Sequence, residues 1–291
     1  MSSQIRLPEE YKSLLSSKKD LSSVGSILSV KKHLHTVCTE AKCPNIGKCF
    51  KSGTATFLIM GSKCTRNCAF CAIDKNPKSP IDADESDEVI DAIKKMNLKY
   101  VVITSVTRDD IEDGGAEYFN LLSSRIKSEF PGIMVEILVP DFRQNIDNLR
   151  KINKNNIDVF NHNLETVKEL YPMVRQKADY DFSLSMLKKA KSMGMTVKTG
   201  IMVGLGETEK EIAKLFDDIS KAGAEILTIG QYFMPTKNHY QVRKYYLSKE
   251  FDALKERAER AGIKNVVSGV FVRSSYNAYE TYKGVKNDEQ T

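Results

Sequence analysis

What most constrains the folding of this chain is the crowding of its six cysteines into residues 38–71. Cys38, Cys43 and Cys49 form one set, with four and five residues between neighbours. Cys64, Cys68 and Cys71 form a second, with three and two. Residues 72–291 contain none. Cysteines used for packing would be scattered through apolar segments, so this arrangement calls for a chemical reason. A disulfide framework belongs to short secreted chains. This chain has 291 residues and begins MSSQIRLPEEYKS, without the apolar core of a secretory signal. Structural zinc takes four ligands from close Cys or His pairs. Each set here has three, and His33, His35, His162 and His239 offer no paired spacing. Iron–sulfur chemistry fits best, because closely spaced soft thiolates select such clusters. Three cysteines leave one iron of a 4Fe–4S cluster open to another ligand, and two sets imply two clusters.

Composition narrows the rest. With 41% apolar residues the chain can bury a sizeable core, and α/β barrels occupy roughly 200–250 residues as one unit. The net charge of +6 is a mild excess; it suits a solvated surface or a docking face for an acidic protein. The lysines are dispersed and no zinc-finger or aromatic RNA-binding sequence occurs, so nucleic acid is not expected as a partner. No apolar run approaches the roughly 18 residues of a membrane span, and a soluble, cytoplasmic protein with no membrane partner is expected. Residues 1–36 are rich in Ser and Lys, with Leu14, Leu15, Leu21, Val24, Ile27 and Leu28 hinting at one or two amphipathic helices. Glu9 and Glu10 argue against a targeting peptide. Pro44 and Gly47 give the tight turns that converging ligands need.

From Thr54 short apolar runs alternate with helical periods. Strands are expected over 56–60, 100–106, 134–139, 158–161, 196–203 and 226–232. Helices are expected near 86–97, 116–129, 143–154, 165–170, 181–193 and 208–222, with a last one around 249–261. This alternation means βαβ units and a parallel sheet. Six repeats are too few for a closed eight-stranded barrel, so an open, partial (β/α)6 TIM-like barrel is expected over 54–240. An N-terminal extension (1–53) carries the first cysteine set, and a C-terminal extension (241–291) follows the barrel.

Cys64-x3-Cys68-x2-Cys71, with Phe70 before the last cysteine, resembles the signature of the radical S-adenosylmethionine superfamily. Joined to Cys38-x4-Cys43-x5-Cys49, to ATFLIMGSKCTRNCAFC, to VITSVTRDDIEDGGAEYF and to RSSYNA (273–278), the pattern resembles the lipoyl synthase family from about residue 34 to 278. The resemblance implies S-adenosylmethionine at the cluster on Cys64, Cys68 and Cys71. Its reductive cleavage gives a radical that removes hydrogen from C6 and C8 of an octanoyl chain amide-linked to a lysine. Sulfur then comes from an auxiliary 4Fe–4S cluster on Cys38, Cys43 and Cys49. A serine of RSSY is the implied fourth ligand of that cluster. Neighbours on an extended segment point to opposite sides, so one of Ser274 and Ser275 at most qualifies; Ser275 is preferred and Ser274 is the alternative. The implied partners are octanoylated carriers (2-oxoacid dehydrogenase acyltransferase domains and the glycine cleavage carrier protein), an electron donor such as ferredoxin or flavodoxin, and an iron–sulfur carrier that rebuilds the spent cluster.

Active sites of such barrels lie at the C-terminal strand ends. Ser105, Thr107, Arg108 and Asp109 follow the second strand. Gly114 and Gly115 beyond them match the glycine stretch that binds the methionine amino group in the superfamily; a plain helix start is the alternative. Glu136, an acid in an apolar strand, suits the ribose hydroxyls or, equally, a solvent-facing edge. Asn161 and Asn163 flank His162, which reads as a buried barrel histidine with no catalytic role. Lys198 and Gln231 complete the expected cofactor contacts; the glycine-rich turn from Gly204 to Thr208 belongs to the barrel mouth, and Arg175 suits a carboxylate of cofactor or partner. Gln176 and Lys177 stand where a Pro-Gly pair is common in the family, and KNHYQVRKYYLS (237–248) also departs from its usual text. An auxiliary-cluster sulfur inserter acting on a small molecule, and a zinc-stabilised binding module, are the competing readings.

Overall fold

The structure is a computed structural model that describes residues 6–16, 35–37, 45, 49, 53–75 and 80–288. Most of the 1–36 segment in which one or two amphipathic helices are expected, and the cysteines Cys38 and Cys43, lie outside the described residues. Among those described, α1 (Glu9–Ser16) is followed by β1 (His35–Thr36), β2 (Thr54–Ile59) and a small ladder of β3 (Lys63–Cys64) with β4 (Asp74–Lys75). Then come α2 (Glu85–Met96), β5 (Tyr100–Ser105), α3 (Ala116–Glu129), β6 (Met134–Leu138), β7 (Val159–Asn161), α4 (Tyr171–Val174), α5 (Tyr180–Ser192) and β8 (Val197–Val203). The chain continues with α6 (Glu209–Lys221), β9 (Ile226–Gln231), α7 (Ser248–Arg260), β10 (Asn265–Gly269) and α8 (Ala278–Asp288).

One sheet runs in the order β1-β2-β5-β6-β7-β8-β9-β10; β1 is antiparallel to β2, and every other pairing is parallel. Its edges are β1 and β10, so it is an open barrel. All six expected strands are present, and β10, in the C-terminal segment, adds a further parallel strand.

Alternation along each strand divides the side chains between two faces. Phe57, Ile59, Val101, Ile103, Val135, Ile137 and Phe160 meet the helices in the main core. The other face carries Tyr100, Val102, Glu136, Val159, Asn161, Lys198 and Gly200 at matching register. Ala278 and Tyr282 of α8 pack on Tyr100, Val102 and Val159 there. Burial on both faces explains why the strands read as continuous apolar runs. The helices follow from their sequence in the usual way. Thr208 caps α6 by accepting from the Glu211 amide while the Glu211 carboxylate accepts from that of Thr208. Ile212, Leu215, Phe216 and Ile219 then form its buried stripe.

The helix expected over 143–154 is instead a run of 3-10 turns at Phe142–Gln144, Ile146–Lys151 and Lys154–Asn156. The side chains of Asn145 and Asn153 accept from the amides of Asp147 and Asn155, a local bond that competes with the helical ladder. Over 165–170 only Lys168–Leu170 is a 3-10 turn, running into α4.

Candidate radical-enzyme active site

The loop that carries Cys64, Cys68 and Cys71 leaves the C-terminal end of β2 and is tied down along its length. At its root, Glu85 accepts from the amides of Met60 (2.8 Å) and Gly61 (3.1 Å). The Thr65 amide and hydroxyl donate to the Thr107 carbonyl, each at 3.0 Å. Ala69 bonds to Val174 through its amide and to Tyr240 through its carbonyl, and His239 Nε2 lies 3.1 Å from the Cys71 carbonyl. Buried Arg66 forks onto Asp109 (2.8 Å) and Asp141 (2.5 Å). Burial pushes the Asp109 carboxyl up, but Arg66 and Thr65 more than offset this and hold it below the usual range. The loop is therefore preorganised by five other segments of the chain.

The three thiols are half-buried and outside any disulfide. Burial pushes Cys68 up, and pushes Cys71 up to about 11, with the neighbouring thiols adding to both. Among the described residues no three His, Cys, Asp or Glu side chains close to the distances of a single ion.

The other expected contacts divide into two groups. Glu136, Asn161 and Lys198 hold one another: Glu136 accepts from Lys198 Nζ (2.9 Å), Tyr100 Oη (2.7 Å) and Asn161 Nδ2 (2.7 Å), all buried. Both carboxylate oxygens are thereby used. Gln231 is likewise engaged; it donates to the Lys244 and Tyr232 carbonyls and accepts from the Tyr246 amide. The amides of Gly114 and Gly115 donate to the Ile111 carbonyl and to Asp113. At φ of 64° and 90° the two glycines press on the Phe142 backbone and the Met60 side chain, where a Cβ would collide.

A second group keeps unmatched capacity. Ser105 Oγ, Asn161 Oδ1, His162 Nε2 and Arg175 Nε are buried polar atoms without a partner among the described residues. Such atoms are rare in folded proteins and call for a ligand or water. Arg175 lies over the Tyr171 ring and donates to its hydroxyl and to the Asn163 carbonyl. Glu165, which sequence reasoning passed over, has a left-handed backbone (φ 67°). Burial raises its carboxyl, opposed by Arg175 and Asn163. Asn163 reaches Glu165 (3.0 Å) and Ser274 (2.7 Å) through Nδ2.

The RSSY segment enters the barrel mouth because β8 and β9 are bare there. A Cβ on Gly200 would lie 2.7–2.8 Å from Asn163, Thr228 and Ser274, and one on Gly230 would overlap the Val272 carbonyl. Ser274 is occupied by Asn163, whereas Ser275 has no hydrogen-bond partner among the described residues. From the first cysteine set, Cys49 is buried and its amide donates to the Asn45 carbonyl (3.0 Å). Asn45 in turn donates through Nδ2 to the Phe271 carbonyl at 2.5 Å. The turn that carries Cys49 is thus tied to the segment that leads to Ser275. Sequence reading named Pro44 and Gly47 as the turn residues of this stretch and passed over Asn45, a turn former whose side chain can reach out.

Residues 58–219 match the family described as the Radical SAM superfamily. The crystal structure of methylornithine synthase superposes with a TM-score of 0.59 at 16% identity, covering 91% of this chain and 76% of that one. HydG, a hydrogenase maturase, superposes at 0.51 and 17%, covering 94% and 74%. At these identities the likeness concerns the fold. Fold and cysteine loop define a radical S-adenosylmethionine enzyme.

Within that class, curated lipoyl synthases are similar over nearly the whole chain. That of Caldicellulosiruptor saccharolyticus is 48% identical over 265 residues, 90% of this chain and 93% of the relative. That of Alkaliphilus metalliredigens is 44% identical over 277 residues, 94% and 95%. The chain belongs to the lipoyl synthase family. With the family come S-adenosylmethionine and two 4Fe–4S clusters, one for radical generation and one auxiliary. The residues present fit these groups: a preorganised three-thiol loop beside buried, unmatched polar atoms is what a cluster and a polar cosubstrate would complete. No helix of the described residues is long and apolar enough to cross a membrane.

Proposed function

We propose that this chain inserts two sulfur atoms, at C6 and C8, into an octanoyl chain carried on a lysine of a lipoyl-carrier protein. What supports the reading is that Arg175, whose charge acts on Cys68, donates to the Asn163 carbonyl, that Asn163 reaches Ser274 of the RSSY segment, and that Asn45 beside Cys49 bonds to Phe271 just before that segment. When bound, S-adenosylmethionine and its cluster supply a radical able to take hydrogen from unactivated carbon, and the auxiliary cluster supplies sulfur.

The chain's own residues bind and orient. Cys64, Cys68 and Cys71 would hold the radical cluster, and S-adenosylmethionine bound there would need partners for its methionine amino and carboxylate groups. An ammonium needs acceptors, and with the Gly114 and Gly115 amides already used, that stretch offers carbonyl oxygens. The ribose role passes from Glu136, both of whose oxygens are taken, to Glu165 with Asn163 beside it. Ser105, His162 and Arg175 line the remaining polar positions. Cys38, Cys43, Cys49 and Ser275 hold the auxiliary cluster; a hard serine oxygen on a soft site is released more readily than thiolate, which suits a cluster that is dismantled. Residues 1–53 and 241–291 act as extensions that build this second site on the barrel. An electron donor of the ferredoxin or flavodoxin kind, an iron–sulfur carrier and a cytoplasmic location belong to the same reading.

The test is a mass spectrum of an octanoyl-lysyl peptide after anaerobic incubation with reconstituted protein, S-adenosylmethionine and a strong reductant. Gain of two sulfurs with loss of the matching hydrogens is expected. An unchanged peptide while 5′-deoxyadenosine accumulates would overturn the substrate assignment.

A further inference from the structure

We propose that Asn45 is a positioning residue that sets Cys49 in register with the 271–275 segment, so that Cys49 and Ser275 reach one cluster. The inference rests on the two-cluster reading above. Asn45 lies between Cys43 and Cys49, is 4% exposed, and bonds in two directions. Its main-chain carbonyl accepts from the Cys49 amide at 3.0 Å, and its side-chain amide donates to the Phe271 carbonyl at 2.5 Å. One residue therefore fixes a cluster cysteine and grips the strand of chain that leads, four positions on, to Ser275.

The receiving segment is rigid. The Phe271 ring stacks on Phe233, with centroids 5.6 Å apart and planes 8° apart. Tyr11 of α1 meets Phe233 edge-on at 5.9 Å, and the Arg273 guanidinium lies 5.5 Å over the same ring. Val272 is seated against bare Gly230 and donates through its amide to the Gly269 carbonyl at 3.1 Å. A cluster held by ligands from two distant segments tolerates positional error of only about 0.2 Å in ligand distance. A buried side-chain bond between those segments is therefore a determinant of ligation. Asn45→Asp keeps the shape but turns an oxygen toward the Phe271 carbonyl, replacing attraction with repulsion.

Asn45→Asp and Asn45→Ala would be reconstituted anaerobically beside wild type and Cys49→Ala. Iron and sulfide content, Mössbauer spectra and the S-adenosylmethionine-induced change in the reduced-cluster EPR signal would be recorded. We expect iron to fall to about half of wild type in both Asn45 variants, as for loss of one of two four-iron clusters, with the S-adenosylmethionine-dependent EPR change retained. Wild-type iron and an unaltered auxiliary signal in both variants would overturn the role. So would loss of both clusters together, since a role confined to the auxiliary site leaves the radical cluster in place. Wild-type protein holding only one cluster, unaffected by Cys49→Ala, would instead sink the two-cluster reading.

Discussion

A carboxylate in the middle of an apolar strand has to find its counter-charge inside the protein, and Glu136 finds it in Lys198, 2.9 Å away and equally shielded. Removing one partner of such a pair leaves an uncompensated buried charge, so Lys198→Met should cost about 3–5 kcal/mol in urea unfolding. Glu136→Gln added to it should recover much of the loss. The double variant should keep the S-adenosylmethionine-dependent EPR change, because the pair is spent on itself; loss of that response would return Glu136 and Lys198 to the cofactor. The residue scale is also where sequence reasoning reached least. Cysteine spacing was legible because ligands close in sequence must be close in space. The Arg66 fork onto Asp109 and Asp141, the Tyr100–Glu136–Lys198 network and the Asn163–Ser274 pair join residues far apart in sequence, and no local pattern marks them.

Among the elements, the RSSY segment depends on strands that yield space to it. Gly230→Ala would place a Cβ on the Val272 carbonyl, and relief requires a backbone shift of the kind that costs about 1–3 kcal/mol in packed interiors. The expected outcome is a lower unfolding midpoint and loss of the auxiliary cluster with the radical cluster retained, read by iron content and EPR; an unchanged auxiliary cluster would show that the segment is held elsewhere. Strands were readable from sequence because the parallel sheet buries both faces and so draws mostly on apolar residues. The stretch 143–154 was not, since its leucine and isoleucines sit at helical spacing while Asn145 and Asn153 divert the backbone into turns. The strand β10 was not counted among the expected six, because the serine-rich turn beyond it drew the reading of that segment.

At the scale of the whole molecule, the buried polar groups under the mouth tie stability to pH. Burial, and then Arg175, depress His162 from 6.5 to about 4. The unfolded chain therefore takes up the proton first as pH falls. The contribution of neutral His162 is complete above about pH 6.5 and is lost as pH falls toward 4. The difference in unfolding midpoint between wild type and His162→Gln should change across that window and be flat above it; a pH-independent difference would mean that His162 is not held neutral.

The bond between Asn45 and Phe271 also has a consequence in time. These residues are separated by 226 positions, and at about 5–20 residues per second of synthesis the second is made roughly 10–45 s after the first. Throughout that interval the Asn45 side chain has no Phe271 carbonyl to bond. The docking of the Asn45–Cys49 turn onto the segment that follows Phe271 is therefore completed only once nearly the whole chain has been made, and this contact forms late in synthesis.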